Sequence, residues 1–202
     1  MTRSLRAFLT ATCLTLPLAA PAASFDDGDE GWTTPDGVQT WFAVGGNAGG
    51  WLRVEDVDGS TDILLTAPSG WLGNWSSFLG GTLSFDVKKD NNVSSDWSGF
   101  GEIRISGPGG SVILDAAAPN LPADNLWTHY SVALTPTAGW NGASLAAVLA
   151  NVTSLTINGE FHAGPGEVVG FDNIQVTAVP EPASAALLAG GLALLAGLRR
   201  KR

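Results

Sequence analysis

The sequence predicts an all-β protein, an antiparallel β-sandwich with one short helix. Apolar residues alternate with polar ones at a period of two in "GTLSFDVKK", "EIRIS" and "HYSVALT", the spacing of half-buried strands rather than of a helical face. Turn clusters such as Asp58-Gly59, Gly80-Gly81, Gly107-Pro108-Gly109-Gly110 and Asn158-Gly159 recur between these runs, as an antiparallel sandwich requires. Helical spacing occurs once in the body, at Leu145, Val148 and Leu149 behind a candidate Ser144 cap, which predicts the single helix.

Residues 1–23 read as a secretory signal peptide. Arg3 and Arg6 precede an apolar run from Ala7 to Leu18, and small residues follow, offering Ala20-Pro21-Ala22 or Pro21-Ala22-Ala23 for cleavage. The competing reading is an N-terminal anchor helix, for which the run is short. The only cysteine, Cys13, lies inside this segment. The body from Ser24 onward therefore has no disulfide open to it, and its stability comes from an apolar core with or without a metal ion.

Along the body, "WLRVE" and "DILLT" read as strands joined by a hairpin turn over Asp56 to Asp62. The stretch "DVDGSTD" is not an EF-hand, because Gly59 falls fourth and Ala67 twelfth where that loop needs Gly sixth and Glu twelfth. In "GTLSFDVKK", Leu83, Phe85 and Val87 share one face; Ile103 and Ile105 do so in "EIRIS", and Tyr130, Val132 and Leu134 in "HYSVALT". "AAAPNLPADN" reads as a loop. In the last strand, "GFDNIQV", simple alternation puts Asp172 on the inner side with Ile174 and Val176, and Asn173 and Gln175 on the wetter side.

Charge narrows the partners. Between Ser24 and Pro180 only Arg53, Lys88, Lys89 and Arg104 stand against eighteen carboxylates, a formal charge of −14. Such a charge disfavours nucleic acid and anionic membrane surfaces as partners and favours divalent cations. An inward Asp172 without a basic partner is costly to bury.

From Ala183 to Leu198 there are sixteen uncharged, mostly apolar residues. As a helix they would run about 24 Å, with Arg199, Arg200, Lys201 and Arg202 holding the C-terminus on the cytoplasmic side of a membrane. A buried core helix is the alternative, disfavoured by those four terminal bases.

The motif Val179-Pro180-Glu181-Pro182, followed by the apolar segment and the basic end, resembles the PEP-CTERM sorting signal of Gram-negative bacteria that make extracellular polysaccharide. The resemblance implies a sorting motif at Pro180, Glu181 and Pro182, an integral-membrane exosortase as partner, and delivery through the inner membrane to the cell surface or extracellular matrix. The two prolines suit such a role, since they stop a helix and keep the junction extended.

The body carries a second likeness. "LLTAPSGWLGNWSSFLGGTLSFDVK", "LWTHYSVALTPTAGW" and "VLANVTSLTINGEFHAGPGEVVGFDNIQV" resemble, in that order, the laminin B domain (domain IV). This implies a jelly roll of the galactose-binding-like type over residues 24–178, between the signal peptide and the sorting segment 179–202. No cysteines or laminin-type repeats flank it, so the matrix assembly of animal laminins is not implied. The resemblance implies a structural Ca²⁺, which jelly rolls of this class often hold between first and last strands. Asp172, with Asp26, Asp27 or Asp29 and backbone carbonyls, supplies the hard oxygen atoms such an ion needs; the foremost pair is Asp26 and Asp172. Alternatively, Asp172 accepts backbone N–H bonds at a strand end.

Eight tryptophans offer either core packing or flat faces for pyranose rings. Trp75 and Trp97 sit among Asn, Ser and Asp residues and are the candidate ligand platforms. Catalytic readings find little: His129 and His162 are the only histidines, and neither G-x-S-x-G nor H-E-x-x-H occurs. The expectation is an exported, non-catalytic protein that binds glycan or matrix polymer, with a protein-contacting structural or adhesive role as the alternative and a carbohydrate-active hydrolase as the third reading.

Overall fold

The computed structural model describes residues 20–118 and 121–179. Most of the expected signal peptide, the motif Pro180-Glu181-Pro182 and the apolar segment after it lie outside the described residues. No helix among the described residues is long and apolar enough to cross a membrane.

Two antiparallel sheets face one another, as the alternation predicted. The strands are β1 (Ala22–Ala23), β2 (Val38–Phe42), β3 (Trp51–Glu55), β4 (Leu64–Thr66), β5 (Thr82–Lys89), β6 (Glu102–Gly107), β7 (Gly110–Asp115), β8 (Thr128–Ala133), β9 (Asn141–Gly142), β10 (Ser154–Asn158) and β11 (Val168–Thr177). One sheet runs β2-β3-β11-β5-β8, with β1 also on β11; the other runs β4-β10-β6-β7-β9. The single helix, α1, spans Leu145–Leu149 with Leu145, Val148 and Leu149 buried. Ser144 stands at its N-cap position but makes no side-chain capping bond. The helix is thus held by its apolar face, as a one-turn element must be.

The core fills the space between the sheets. Leu83, Phe85 and Val87 from β5 meet Ile103 and Ile105 from β6, Leu155 and Ile157 from β10, and Val169 and Phe171 from β11 in one continuous cluster. Each such side chain, fully withdrawn from water, stabilises the fold by roughly 1.5–3 kcal/mol. Trp32 closes one flank, edge-on to Trp71 at 4.9 Å and to Phe25 at 6.5 Å.

Three local expectations need correction. Asp56 to Asp62 is not a hairpin turn: β3 pairs with β2 and β11, β4 pairs with β10, and the segment crosses from one sheet to the other. Both faces of β5 are covered rather than one, since outward Ser84, Asp86 and Lys88 are also buried. The loop that carries Asn47 and the side chains of Trp51 and Trp127 roof them over.

The third concerns Asp172. It pairs with Asp86 across the sheet, so it projects on the outer side of the six-stranded sheet and not into the core. The pairing register shifts between Asp172 and Gln175, and Asn173 adopts a left-handed φ of 48°. That bulge reverses the alternation, so Val169 and Phe171 before it and Ile174 and Val176 after it all reach the core. The bulge also marks a change of partner along one edge of β11, from β3 at Val168–Phe171 to β1 at Ile174–Gln175.

Candidate functional site

The two expected metal ligands lie beneath a glycine-rich loop on the outer side of the six-stranded sheet. Asp172 is fully buried. Its Oδ2 accepts the Asn47 backbone N–H at 2.7 Å and its Oδ1 accepts the Asn173 N–H at 2.7 Å. Burial, followed by the negative charges of Asp86 and Asp26, overcomes those two bonds and raises the Asp172 carboxyl to about 6. Asp26 reaches the same loop, its Oδ1 accepting the Gly50 N–H at 3.2 Å. Asp86 completes the group, accepting from Asn47 Nδ2 at 2.8 Å and Asn173 Nδ2 at 2.9 Å, with His129 Nδ1 2.6 Å from its other oxygen.

The loop can sit this low only because it has no side chains in the way. A Cβ on Gly46 would lie 2.6 Å from Asp172 Oδ2, and one on Gly49, where φ is +79°, would run into the Asp26 carboxylate. The sequence singled out both aspartates. It did not bring in Asp86, Asn47 or the loop glycines.

The two candidate tryptophans separate. Trp75 is 2% exposed; its Nε1 donates to the Trp71 carbonyl at 2.8 Å, and its ring meets Phe78 edge-on at 6.1 Å. It is a core residue and not a ligand platform, because its polar neighbours lie in turns that carry the indole inward. Trp97 is 44% exposed. It stands beside a half-open cleft of about 290 Å³ lined by the Gly59–Asp62 turn, Glu160, Ala163 and Gly164.

Trp97 is placed by its backbone and by Asp96. The N–H groups of Asp96 and Trp97 both donate to the Phe161 carbonyl, at 3.0 and 3.2 Å. Asp96 Oδ1 then accepts the Ala163 N–H at 2.7 Å and lies 2.9 Å from His162 Nδ1. The Ala163 bond is the main reason the Asp96 carboxyl titrates below the ordinary range. Across the cleft, Asn158 Nδ2 donates to Asp62 Oδ2 at 2.8 Å. The result is a part-exposed indole beside hydroxyl, carboxylate and backbone groups.

A further aromatic group was not anticipated. On the outer side of the six-stranded sheet, Phe42 stacks on Trp51 at 5.2 Å and Trp127 meets Trp51 edge-on at 5.7 Å. Lys88 Nζ sits 4.2 Å from the Trp51 ring and 5.0 Å from the Trp127 ring. Gly170 makes room beneath them, since a Cβ there would lie 2.8 Å from Trp51 and 3.0 Å from Trp127. Alternation within "WLRVE" could have placed Trp51 outward; its partners come from other strands.

Known structures share this architecture. An exo-β-agarase matches at a TM-score of 0.54 with 12% identity, over 80% of this chain and 25% of that one. The L4b domain of human laminin α2 matches at 0.49 with 10% identity, over 70% and 99% of the respective chains. A family 11 carbohydrate-binding module from Clostridium thermocellum, solved with a β-1,3-1,4-mixed-linked tetrasaccharide, matches at 0.48 with 15% identity, over 82% and 100%. At 12% identity the likeness to the agarase is one of fold alone, and this chain spans only a quarter of it. No curated protein sequence matches. The model of the PEP-CTERM protein-sorting motif matches residues 178–202, and that of Laminin B (Domain IV) matches residues 64–189, more than half of the sequence. The chain is thus a member of the laminin B (domain IV) family that ends in a PEP-CTERM sorting motif.

Proposed function

We propose that this is an exported, surface-directed, non-catalytic protein whose jelly roll binds glycan or matrix polymer in the cleft beside Trp97. The observation that carries the reading is the exposed Trp97 indole next to a polar cleft. An indole face contributes about 1 kcal/mol beyond simple burial when it stacks, and the Ser60, Thr61 and Asp62 side chains offer partners for sugar hydroxyls. The sorting motif supports delivery to the surface, with the residues that precede β1 as leader and an exosortase as the enzyme that reads Pro180-Glu181-Pro182. The excess of carboxylates suits a neutral or cation-bridged polymer better than a polyanion.

A structural Ca²⁺ held by Asp26 and Asp172 belongs to this reading. The glycine-lined approach to both carboxylates and the raised pKa of Asp172 support it. The ion would offset the mutual repulsion of Asp172, Asp86 and Asp26 and pin the loop to the last strand.

A second reading, adhesion to protein, is favoured by one feature. β2 is an edge strand, and Val38, Trp41, Phe42 and nearby Val44 are 49, 39, 40 and 77% exposed, a surface open to strand addition. A glycan array separates the two. Binding that disappears in Trp97→Ala with the fold kept by near-UV circular dichroism supports the first reading; no glycan bound, with association abolished by Phe42→Lys, supports the second.

A further inference from the structure

Asp56, Glu160 and Glu167 meet inside the protein, away from Asp26 and Asp172. Asp56 follows β3 and Glu167 precedes β11 in one sheet, whereas Glu160 follows β10 in the other. The three side chains are 1, 0 and 4% exposed for Asp56, Glu167 and Glu160, and an oxygen from each lies within 4.8 Å of the others.

Half of this oxygen set is satisfied by the backbone. Asp56 Oδ1 accepts from the Asp58 and Gly59 N–H groups at 3.2 Å each. Glu167 Oε2 accepts from Phe161 at 3.1 Å and His162 at 2.6 Å, and Glu160 Oε2 accepts from Ile63 at 2.9 Å. The other oxygens of two residues, Asp56 Oδ2 and Glu167 Oε1, are buried and receive no N–H donor, while the Glu160 and Glu167 carboxyls face each other within side-chain hydrogen-bonding contact. None of the ion pairs among the described residues includes any of the three. Buried carboxylate oxygens with neither an N–H donor nor a counter-charge from the protein are among the costliest groups a fold can hold.

We propose that Asp56, Glu160 and Glu167 bind a Ca²⁺ ion that ties the two sheets together beside the Trp97 cleft. The donors are all hard oxygens, with no nitrogen or sulfur, which selects Ca²⁺ over transition metals. The backbone around them is already braced: Asp56 N–H donates to the Glu167 carbonyl at 3.1 Å and Gly166 N–H to the Asp56 carbonyl at 2.8 Å. Glu160 also lines the cleft, so the ion would fix one wall of it. The inference stands whether or not the cleft takes a glycan.

The test uses the full chain, stripped with a chelator, in an Asp172→Asn background that disables the other candidate site. Terbium emission excited through tryptophan and calcium content by elemental analysis are read together. After Ca²⁺ is added back and unbound ion removed by gel filtration, the expected result is one Ca²⁺ taken up per chain in Asp172→Asn and terbium emission that Ca²⁺ displaces, both falling to background when Glu160→Gln and Glu167→Gln are added. Near-UV circular dichroism reports whether the added variants fold. Should they not, Glu160→Gln alone, which keeps an acceptor for the Ile63 N–H, is expected to weaken terbium binding at least tenfold. A folded Asp172→Asn protein that holds no calcium, or Gln variants that hold as much as their parent, would overturn the proposal.

Discussion

Replacing Trp75 by alanine should cost most of what a small domain can spare, and the same replacement at Trp97 should cost well under half as much. Trp75 is 2% exposed, and burying an indole removes about 200 Å² from water, worth about 5 kcal/mol at 25 cal/mol per Å². Alanine retains a small part of that, and relaxation recovers some of the rest, which brings the expected loss to about 3–5 kcal/mol. The Trp71 carbonyl also loses its donor at 2.8 Å, a further penalty of about 1 kcal/mol if water does not replace it. For a chain of this size that is a fall in melting temperature of about 6–20 °C. Trp97, at 44% exposure, has roughly half as much indole surface withdrawn from water and should cost about 1–2 kcal/mol after relaxation. Urea denaturation followed by circular dichroism measures both. A Trp75→Ala protein within about 1 kcal/mol of wild type would refute the packing described here.

Other outcomes follow from the same contacts. Gly49→Ala should destabilise by about 1–3 kcal/mol, since its φ is +79° and its Cβ would collide with the Asp26 carboxylate; thermal melts check it. Chelator should lower the melting temperature of wild type by more than that of Asp172→Asn; equal drops in both would count against an ion at Asp172. In chelator, the chain should melt higher at pH 5 than at pH 8, because Asp172 is raised from 3.8 to about 6 and Glu167 from 4.5 to about 9, chiefly by burial. Groups raised in this way contribute stability that is complete below their unfolded pKa and is lost as pH climbs through the folded one. For Asp172 this is about 1–2 kcal/mol after solvent screening. With Ca²⁺ present the order should reverse, since the ligands must be ionised, and melts at both pH values read the sign.

Much of the sandwich was legible because burial imposes a strict rhythm. The inner residues of β5 and β6 and the apolar face of α1 stand where periodicity put them. The rhythm failed where its assumptions did. A turn motif such as "DVDGSTD" fixes a change of direction but not which sheet receives the next strand, so the crossover was read as a hairpin. The bulge in β11 was visible only as a conflict of parity, Val169 and Phe171 against Ile174 and Val176, which signals one extra residue. Trp75 was misjudged because Asn74, Ser76 and Ser77 are local polarity, whereas its burial is set by Trp71 and Phe78 packing around a short 3₁₀ turn. The carboxylate trio was invisible because Asp56 and its partners are more than a hundred residues apart. Only the topology brings them together.

The central claim is that ligand enters beside Trp97. Nuclear magnetic resonance titration with fragments of the extracellular polysaccharide tests it directly by following the indole N–H signals of all eight tryptophans. The account predicts that Trp97 shifts first and furthest, with the backbone signals of Ser60, Asp62 and Gly164, while Trp75 stays still. Shifts confined to Trp41 and the exposed edge of β2, with Trp97 unmoved, would contradict it.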